Sequence, residues 1–282
     1  MPRSICCSRP AWIPHPSCPA RPSACRVRPE PARHRMTVAG PGGGVLPRIA
    51  MMAVLACALL TNMARADHGP ATWSAAAPSV VVIEPTWPGY NRPGFGAPPG
   101  TAPAGTGIFI GTGDRSSHLV TAAHVITRAT EIEIVTEDGM RHAAAVIAVD
   151  NQRDIAILET KLKRRPITLR LTDPAIGEHG CAIGNSFGLG LSISCGVVSA
   201  IHRRQVGFNP IEDFVQTDAA INPGGSGGAL VDADGRLIGM IDGIFTKEAD
   251  IDAGVNFAVS VPLLIEGAEL LRRSHPQIPA LQ

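Results

Sequence analysis

The chain has 282 residues, with 25 Lys and Arg against 24 Asp and Glu, a formal net charge of +1. That length can bury one large core or two small ones, and 45% hydrophobic with 17% charged residues excludes a wholly disordered chain. Near-neutral charge argues against a nucleic-acid or anionic-membrane binder, and 30 Gly with 25 Pro favour turns and short strands over a helical bundle.

The averages hide an asymmetry. Residues 1–35 hold seven Arg, eight Pro, four of the seven Cys and one acid, Glu30, with no apolar periodicity to bury. Neither a disulfide framework nor a zinc site fits Cys6, Cys7, Cys18 and Cys25, so this stretch is expected to be absent from the mature protein, with Met36 and Met51 as alternative starts. Arg48 then precedes a twelve-residue apolar run, Ile49 to Leu60. A bilayer span needs about 20 such residues. The run suits a secretory signal, and Ala64-Arg65-Ala66 supplies the small-x-small cleavage pattern. Export to the periplasm or outside is expected, with residues 1–66 as leader and no stable membrane insertion after cleavage. An uncleaved anchor and lipidation at Cys57 are the alternatives. The remaining 216 residues carry 16 basic and 23 acidic groups, or −7, which sharpens the case against nucleic acid.

Residues 67–104 hold one good strand, Ser79 to Glu84, and then a stretch with six Pro and four Gly in twenty positions, a loop or linker. From Gly105 short apolar runs recur between turn signals, among them GIFIG, HLVT, EIEIV, DIAILE, FVQT, RLIGMID and VNFAVSV. One amphipathic helix is predicted, near Pro262 to Arg273, opening with Pro. The pattern predicts an all-β domain, a barrel or sandwich with a C-terminal helix. Cys181 and Cys195 flank a hairpin whose turn falls near Gly188 to Gly190, which places them roughly opposite. An exported chain could pair them, and two buried free thiols are the alternative.

Three features carry chemistry. Asn222-Pro-Gly-Gly-Ser-Gly-Gly-Ala229 sets Ser226 among glycines that let backbone N–H groups converge and a substrate approach. His124 follows the apolar strand LVTAA and suits a general base. Asp154 precedes the apolar run Ile155 to Leu158, where a carboxylate needs a partner; Asp150 is its rival. No Lys follows the glycines, which excludes a phosphate-binding loop, and a Gly-x-Ser-x-Gly hydrolase elbow lacks its helices and finds only His275 downstream.

The order His124, Asp154, Ser226 on an all-β domain is one of the chain orders of the serine protease triad. Here the sequence resembles the chymotrypsin-like serine proteases, and specifically the high-temperature-requirement (HtrA/Deg) family. The likeness runs from about Ser79 to Leu271 and rests on LVTAAHV, DNQRDIAIL, CAIGNSFGLG with CGVVSA, QTDAAINPGGSGGAL and GVNFAVSV. It implies a double antiparallel β-barrel, the first over 105–170 and the second over 171–261, followed by the helix and tail, 262–282. It implies His124 as base, Asp154 as its orienting acid and Ser226 as nucleophile. Gly224 and Ser226 would supply the oxyanion-hole N–H groups, with Gly225 shaping the turn between them.

Ala220, six residues before the nucleophile, would lie at the base of the primary pocket. Met240 and Asp242 lie on the strand expected to flank it; Asp242 keeps a basic preference open. The likeness implies unfolded or misfolded polypeptide as substrate, no metal or cofactor, and the trimeric assembly common in the family. A latent or non-catalytic binding protein on the same fold is the alternative. The proline-rich segment falls where relatives keep a regulatory loop. Gly225 replaces the family's usual Asn, Ala229 its Pro and Ser186 another Pro; the extra glycine predicts a looser loop at the nucleophile. The sequence ends shortly after the last helix, without length for the PDZ module most members append.

Overall fold

The computed structural model describes residues 68–88, 104–244 and 254–281, all within one compact unit, Leu55–Gln282. The leader, the signal core, the cleavage pattern and most of the proline-rich segment lie outside the described residues.

Twelve strands form two closed six-stranded antiparallel barrels. The first contains β1 (Val80–Thr86), β2 (Gly105–Ile110), β3 (Ser116–Ala122), β4 (Glu131–Val135), β5 (Arg141–Asp150) and β6 (Ile155–Arg164), in the spatial order 1-2-3-6-5-4. The second contains β7 (His179–Gly184), β8 (Ser192–Arg203), β9 (Phe214–Thr217), β10 (Ala229–Val231), β11 (Leu237–Ile244) and β12 (Asn256–Ser260), in the order 10-11-12-9-8-7. Both closures remove the free edges an open sheet would expose.

Alternation along each strand supplies two apolar faces. In the first barrel Ile83, Phe109, Leu119 and Leu158 fill the interior, while Ile108, Val120 and Ile157 face outward into a second cluster. That cluster also holds Phe214, Met240 and Val259 from the second barrel, whose own interior is packed by Val198, Val215, Leu230 and Ile238. A large apolar seam therefore joins the barrels.

Among the described residues, three α-helices accompany them. α1 (His68–Ala76) precedes β1 and carries no amphipathic signal; it is secured by burial of Thr72, whose hydroxyl donates to the Ala233 carbonyl at 2.9 Å. Nothing in its residues marks it as a helix, because a short stretch beginning His-Gly-Pro carries little helix propensity and no apolar stripe. α2 (Ala123–Ile126) is a single turn after β3. α3 (Val261–Ser274) is the predicted C-terminal helix, with the Ser260 hydroxyl accepting from Leu263 N–H, Pro262 in its first turn, and Arg272 and Arg273 in its last. Its Leu264 and Ala268 pack into the seam.

Cys181 and Cys195 are directly paired across β7 and β8 and are joined by a disulfide. It closes the base of the loop that runs from Gly184 to Ser192.

Candidate active site

The cleft opens at the junction of the barrels, a cavity of about 360 Å³. It is lined by His124 and Asp154 from the first barrel, and by Phe208, Asn209, Ser226 and Asp242 from the second. The three residues that the motifs single out thus converge.

His124 rides on α2, half exposed to the cleft, while Asp154 is buried behind it. Asp154 Oδ1 accepts the His124 backbone N–H at 2.8 Å, and Oδ2 faces the His124 Nδ1 at 2.5 Å. A carboxylate can only accept, so Nδ1 carries the proton and the Nε2 lone pair is left for the cleft. The Asp154 carbonyl in turn accepts from Ala123 N–H at 3.1 Å. Holding all three bonds places Asp154 at φ 56°, a left-handed conformation that costs a non-glycine residue about 1–3 kcal/mol. Asp150, the rival acid, is occupied elsewhere: its carboxylate accepts from Gln152 and Arg153 N–H and pairs with the Arg153 guanidinium at 2.9 Å, and Arg153 reaches on to Glu266 of α3.

Ser226 sits in the loop between β9 and β10. Gly225 donates its N–H to the Asn222 carbonyl at 2.9 Å and accepts from Gly228 N–H, so it shapes the turn. Among the described residues, the Gly224 and Ser226 N–H groups have no protein acceptor, leaving two donors beside the hydroxyl. The loop is tied to the first barrel. Thr106 of β2, fully buried, donates its N–H to the Ser226 carbonyl at 2.9 Å and its hydroxyl to the Gly224 carbonyl at 2.8 Å, while the same hydroxyl accepts from Asn185 N–H at 3.0 Å. This fit requires glycine at two places: a Cβ on Gly224 (φ 97°) would stand 2.2 Å from the Asn185 carbonyl oxygen, and one on Gly227 (φ 80°) 2.2 Å from that of Thr106. The predicted loosening by Gly225 is offset by these inter-barrel bonds. Thr106 and Asn185 escaped the sequence reading, because a Thr in a strand reads as an ordinary β-former.

Ala220 lines a separate narrow pocket of about 10 Å³, with Gly184, Ser194, Gly225 and Ile241 among its walls. Its backbone N–H donates to the Ser194 hydroxyl at 3.0 Å. Met240 is not there: it is fully buried in the seam, facing Ala229 across β10. Asp242 is not in that lining either, although it lines the cleft that holds Ser226. A register irregularity between Ile241 and Gly243 bends β11, and the Asp242 carboxyl is buried beside His124 and Asp154 instead of facing that pocket. A basic side chain in the Ala220 pocket would find no carboxylate among its lining.

These two barrels with their interfacial cleft have the chymotrypsin-like architecture, and a trypsin-like peptidase domain family matches residues 105–240. Solved structures of the HtrA-type protease AlgW are similar: with a tripeptide, TM-score 0.63 at 35% identity over 74% of this chain and 64% of that one; with a decapeptide, 0.61 at 33% over 72% and 67%. The periplasmic serine endoprotease DegP of Escherichia coli is 35% identical over 158 residues, 55% of this chain and 33% of that protein. A probable periplasmic DegP-like endoprotease of Buchnera aphidicola is 36% identical over 163 residues, 57% and 34%. The chain belongs to the HtrA-type family of trypsin-like serine proteases. It spans about a third of the length of the curated relatives it matches.

Proposed function

We propose that the protein is an exported serine endopeptidase that cleaves unfolded polypeptide through an acyl-enzyme. The observation that carries this reading is the His124–Asp154 pair, fixed by two hydrogen bonds, sharing one cleft with Ser226 and its free N–H donors. In the resting geometry the Ser226 hydroxyl donates to the Asp242 carbonyl at 3.1 Å. The mechanism requires rotation about the Cα–Cβ bond to turn it toward His124 Nε2, across the shared cleft. His124 then takes the proton as Ser226 Oγ attacks the scissile carbonyl, Asp154 stabilises the imidazolium, and the Gly224 and Ser226 N–H groups receive the oxyanion. His124 next protonates the departing amine. Water, deprotonated by the same imidazole, releases the acyl group.

Polypeptide as substrate is supported by the peptides in the AlgW complexes, and export by the periplasmic naming of the relatives together with the signal-like run at Ile49 to Leu60. The test is covalent labelling of the folded mature protein by a fluorophosphonate probe, alone and with casein present. Labelling that disappears in Ser226→Ala supports the reading. Folded wild-type protein that stays unlabelled under both conditions overturns it in favour of a binding protein on a protease fold.

A further inference from the structure

Asp242 belongs to neither the Ala220 pocket nor the three proposed catalytic groups, yet it lies against two of those groups, Asp154 and His124. Its side chain is 6% exposed. One carboxyl oxygen, Oδ2, accepts from Asn209 Nδ2 at 2.6 Å. Carboxyl oxygens of Asp242 and Asp154 lie within 4.8 Å of each other and of a ring nitrogen of His124. Two buried carboxyl groups this close repel strongly when both are ionised, so one of them retains its proton. Asp154 is held by two N–H donors from His124, Asp242 by one neutral amide. The proton is therefore held by Asp242.

The groups facing Asp242 are Asp154, from the turn between β5 and β6, His124, from α2, and the uncharged Asn209, from the loop between β8 and β9. Among the described residues no Lys or Arg forms an ion pair with either carboxyl. Burial first, and the Asp154 charge second, push the Asp242 carboxyl up to about 7, with His124 and the Asn209 amide opposing.

We propose that Asp242 is a positioning residue for the catalytic acid: its protonated carboxyl donates to Asp154, holds that carboxylate square to His124, and loses this function when the proton leaves. The proposal rests on the serine endopeptidase reading. It goes beyond it by requiring two opposite protonation states at once, neutral His124 to accept the serine proton and neutral Asp242 to brace the acid. Once Asp242 ionises, a second negative charge faces Asp154 in a buried site, the hydrogen bond between them is lost, and the imidazolium is held too tightly to return its proton to the leaving amine. Activity then falls on the alkaline side of neutrality, where serine proteases governed by the His ionisation alone stay on a plateau.

The test compares kcat and KM of the mature protein from pH 5.5 to 9 in chelator-containing buffer, for wild type, Asp242→Asn and Asp242→Ala. Fluorophosphonate labelling of the wild type at pH 7 comes first; its absence is a failure of the endopeptidase reading, distinct from anything below. In labelled enzyme the wild-type kcat at pH 9 is expected to be at least about 10-fold below that at pH 7. The Asn amide donates in every protonation state, so Asp242→Asn should bring that ratio close to one. Asp242→Ala should lower kcat at every pH with KM little changed. If Asp242→Asn fails to fold, the wild type still decides: the proton resonance of His124 Nδ1–H must move through a second transition between pH 6 and 9, besides that of its own ring. A wild-type ratio that Asp242→Asn leaves unaltered, or a single transition in that resonance, overturns the proposal. So does inhibition by zinc, in buffer without chelator, that Asp242→Asn relieves while the pH ratio stays fixed, because the trio would then be a cation site.

Discussion

Thr106 and Ser226 come from different barrels, yet the N–H of one donates to the carbonyl of the other at 2.9 Å, and the Thr106 hydroxyl reaches the Gly224 carbonyl two residues away. The nucleophile loop is thus referenced to the barrel that carries His124 and Asp154. Thr121 secures Thr106 in turn, its hydroxyl donating to the Thr106 carbonyl at 2.7 Å. Substituting Thr106→Val keeps the shape and the N–H but removes the hydroxyl, orphaning the Gly224 carbonyl and the Asn185 N–H. The expected cost is about 1–3 kcal/mol for a buried unsatisfied group, with kcat falling more than KM rises, because the displaced loop carries the proposed oxyanion donors. Denaturant unfolding and steady-state kinetics on one preparation check both.

Asp154→Asn tests the acid separately from the base. The Asn amide can donate to His124 Nδ1, which puts the ring proton on Nε2, the wrong atom for a general base. A loss of about 10⁴ in kcat is expected, with labelling by fluorophosphonate slowed to match and the fold retained. Equal activity for Asp154→Asn and wild type would mean that Asp154 is not the orienting acid.

Much of this arrangement is legible in the residues, and the exceptions have causes. Alternation from Gly105 onward marks most of the strands, and the glycines around Ser226 mark a turn that no side chain could occupy. The positions of His124 and Asp154 can be read as single signals because each ends or begins an apolar run. What alternation cannot convey is a partner from the other barrel, as at Thr106, or a bulge. Counting in twos along β11 puts Met240 and Asp242 on one face beside the pocket; the irregularity at Ile241–Gly243 separates them, sending Met240 into the seam and Asp242 toward Asp154. A bulge leaves no mark on composition, so the role of Asp242 emerges only from the fold.

We propose Ala220 as the base of the primary pocket; the cavity beside it has no charged side chain among its walls. Peptides with a small aliphatic residue before the scissile bond should be preferred over those with Arg, Lys or Phe by at least about 10-fold in kcat/KM, the scale of one or two methylenes in a tight pocket. Profiling with a mixture-based peptide library reads this directly. A preference for Arg or Lys would show that a carboxylate enters the pocket after all.

The Cys181–Cys195 disulfide encloses the segment that contributes Gly184, Ser186 and Ser192 to that pocket and holds the Asn185 N–H against Thr106. A closed loop of this size is worth about 3 kcal/mol in the chain-entropy account. Unfolding under reducing conditions, or of a Cys181→Ala/Cys195→Ala double variant, should show a loss of that order, and mass spectrometry of the unreduced protein should find no free thiol at either position.

Stability should also fall as pH rises toward alkaline values. Asp242 holds a proton in the fold up to about pH 7, whereas an unfolded Asp releases it near 3.9. The folded state binds more protons between those values, so the free energy of unfolding declines across that window, by at most about 4 kcal/mol. His202 acts in the same direction on a smaller scale: its hydrogen bond to Asp213, and then Asp173, raise its proton affinity, so its contribution is present below about 6.5 and disappears as pH passes through the raised value. Its half-exposed ring makes that contribution small. Carboxylates held low by partners, such as Glu178 beside Arg170, lose their contribution only below the usual Glu range, outside the interval that matters here. Urea midpoints at pH 5.5 and 8.5 should therefore differ in wild type, with the lower midpoint at 8.5, and Asp242→Asn should remove more than half of the difference while His202→Gln removes a minor part. An unchanged midpoint across that interval would place the proton of the Asp154–Asp242 pair outside the range in which it could control His124.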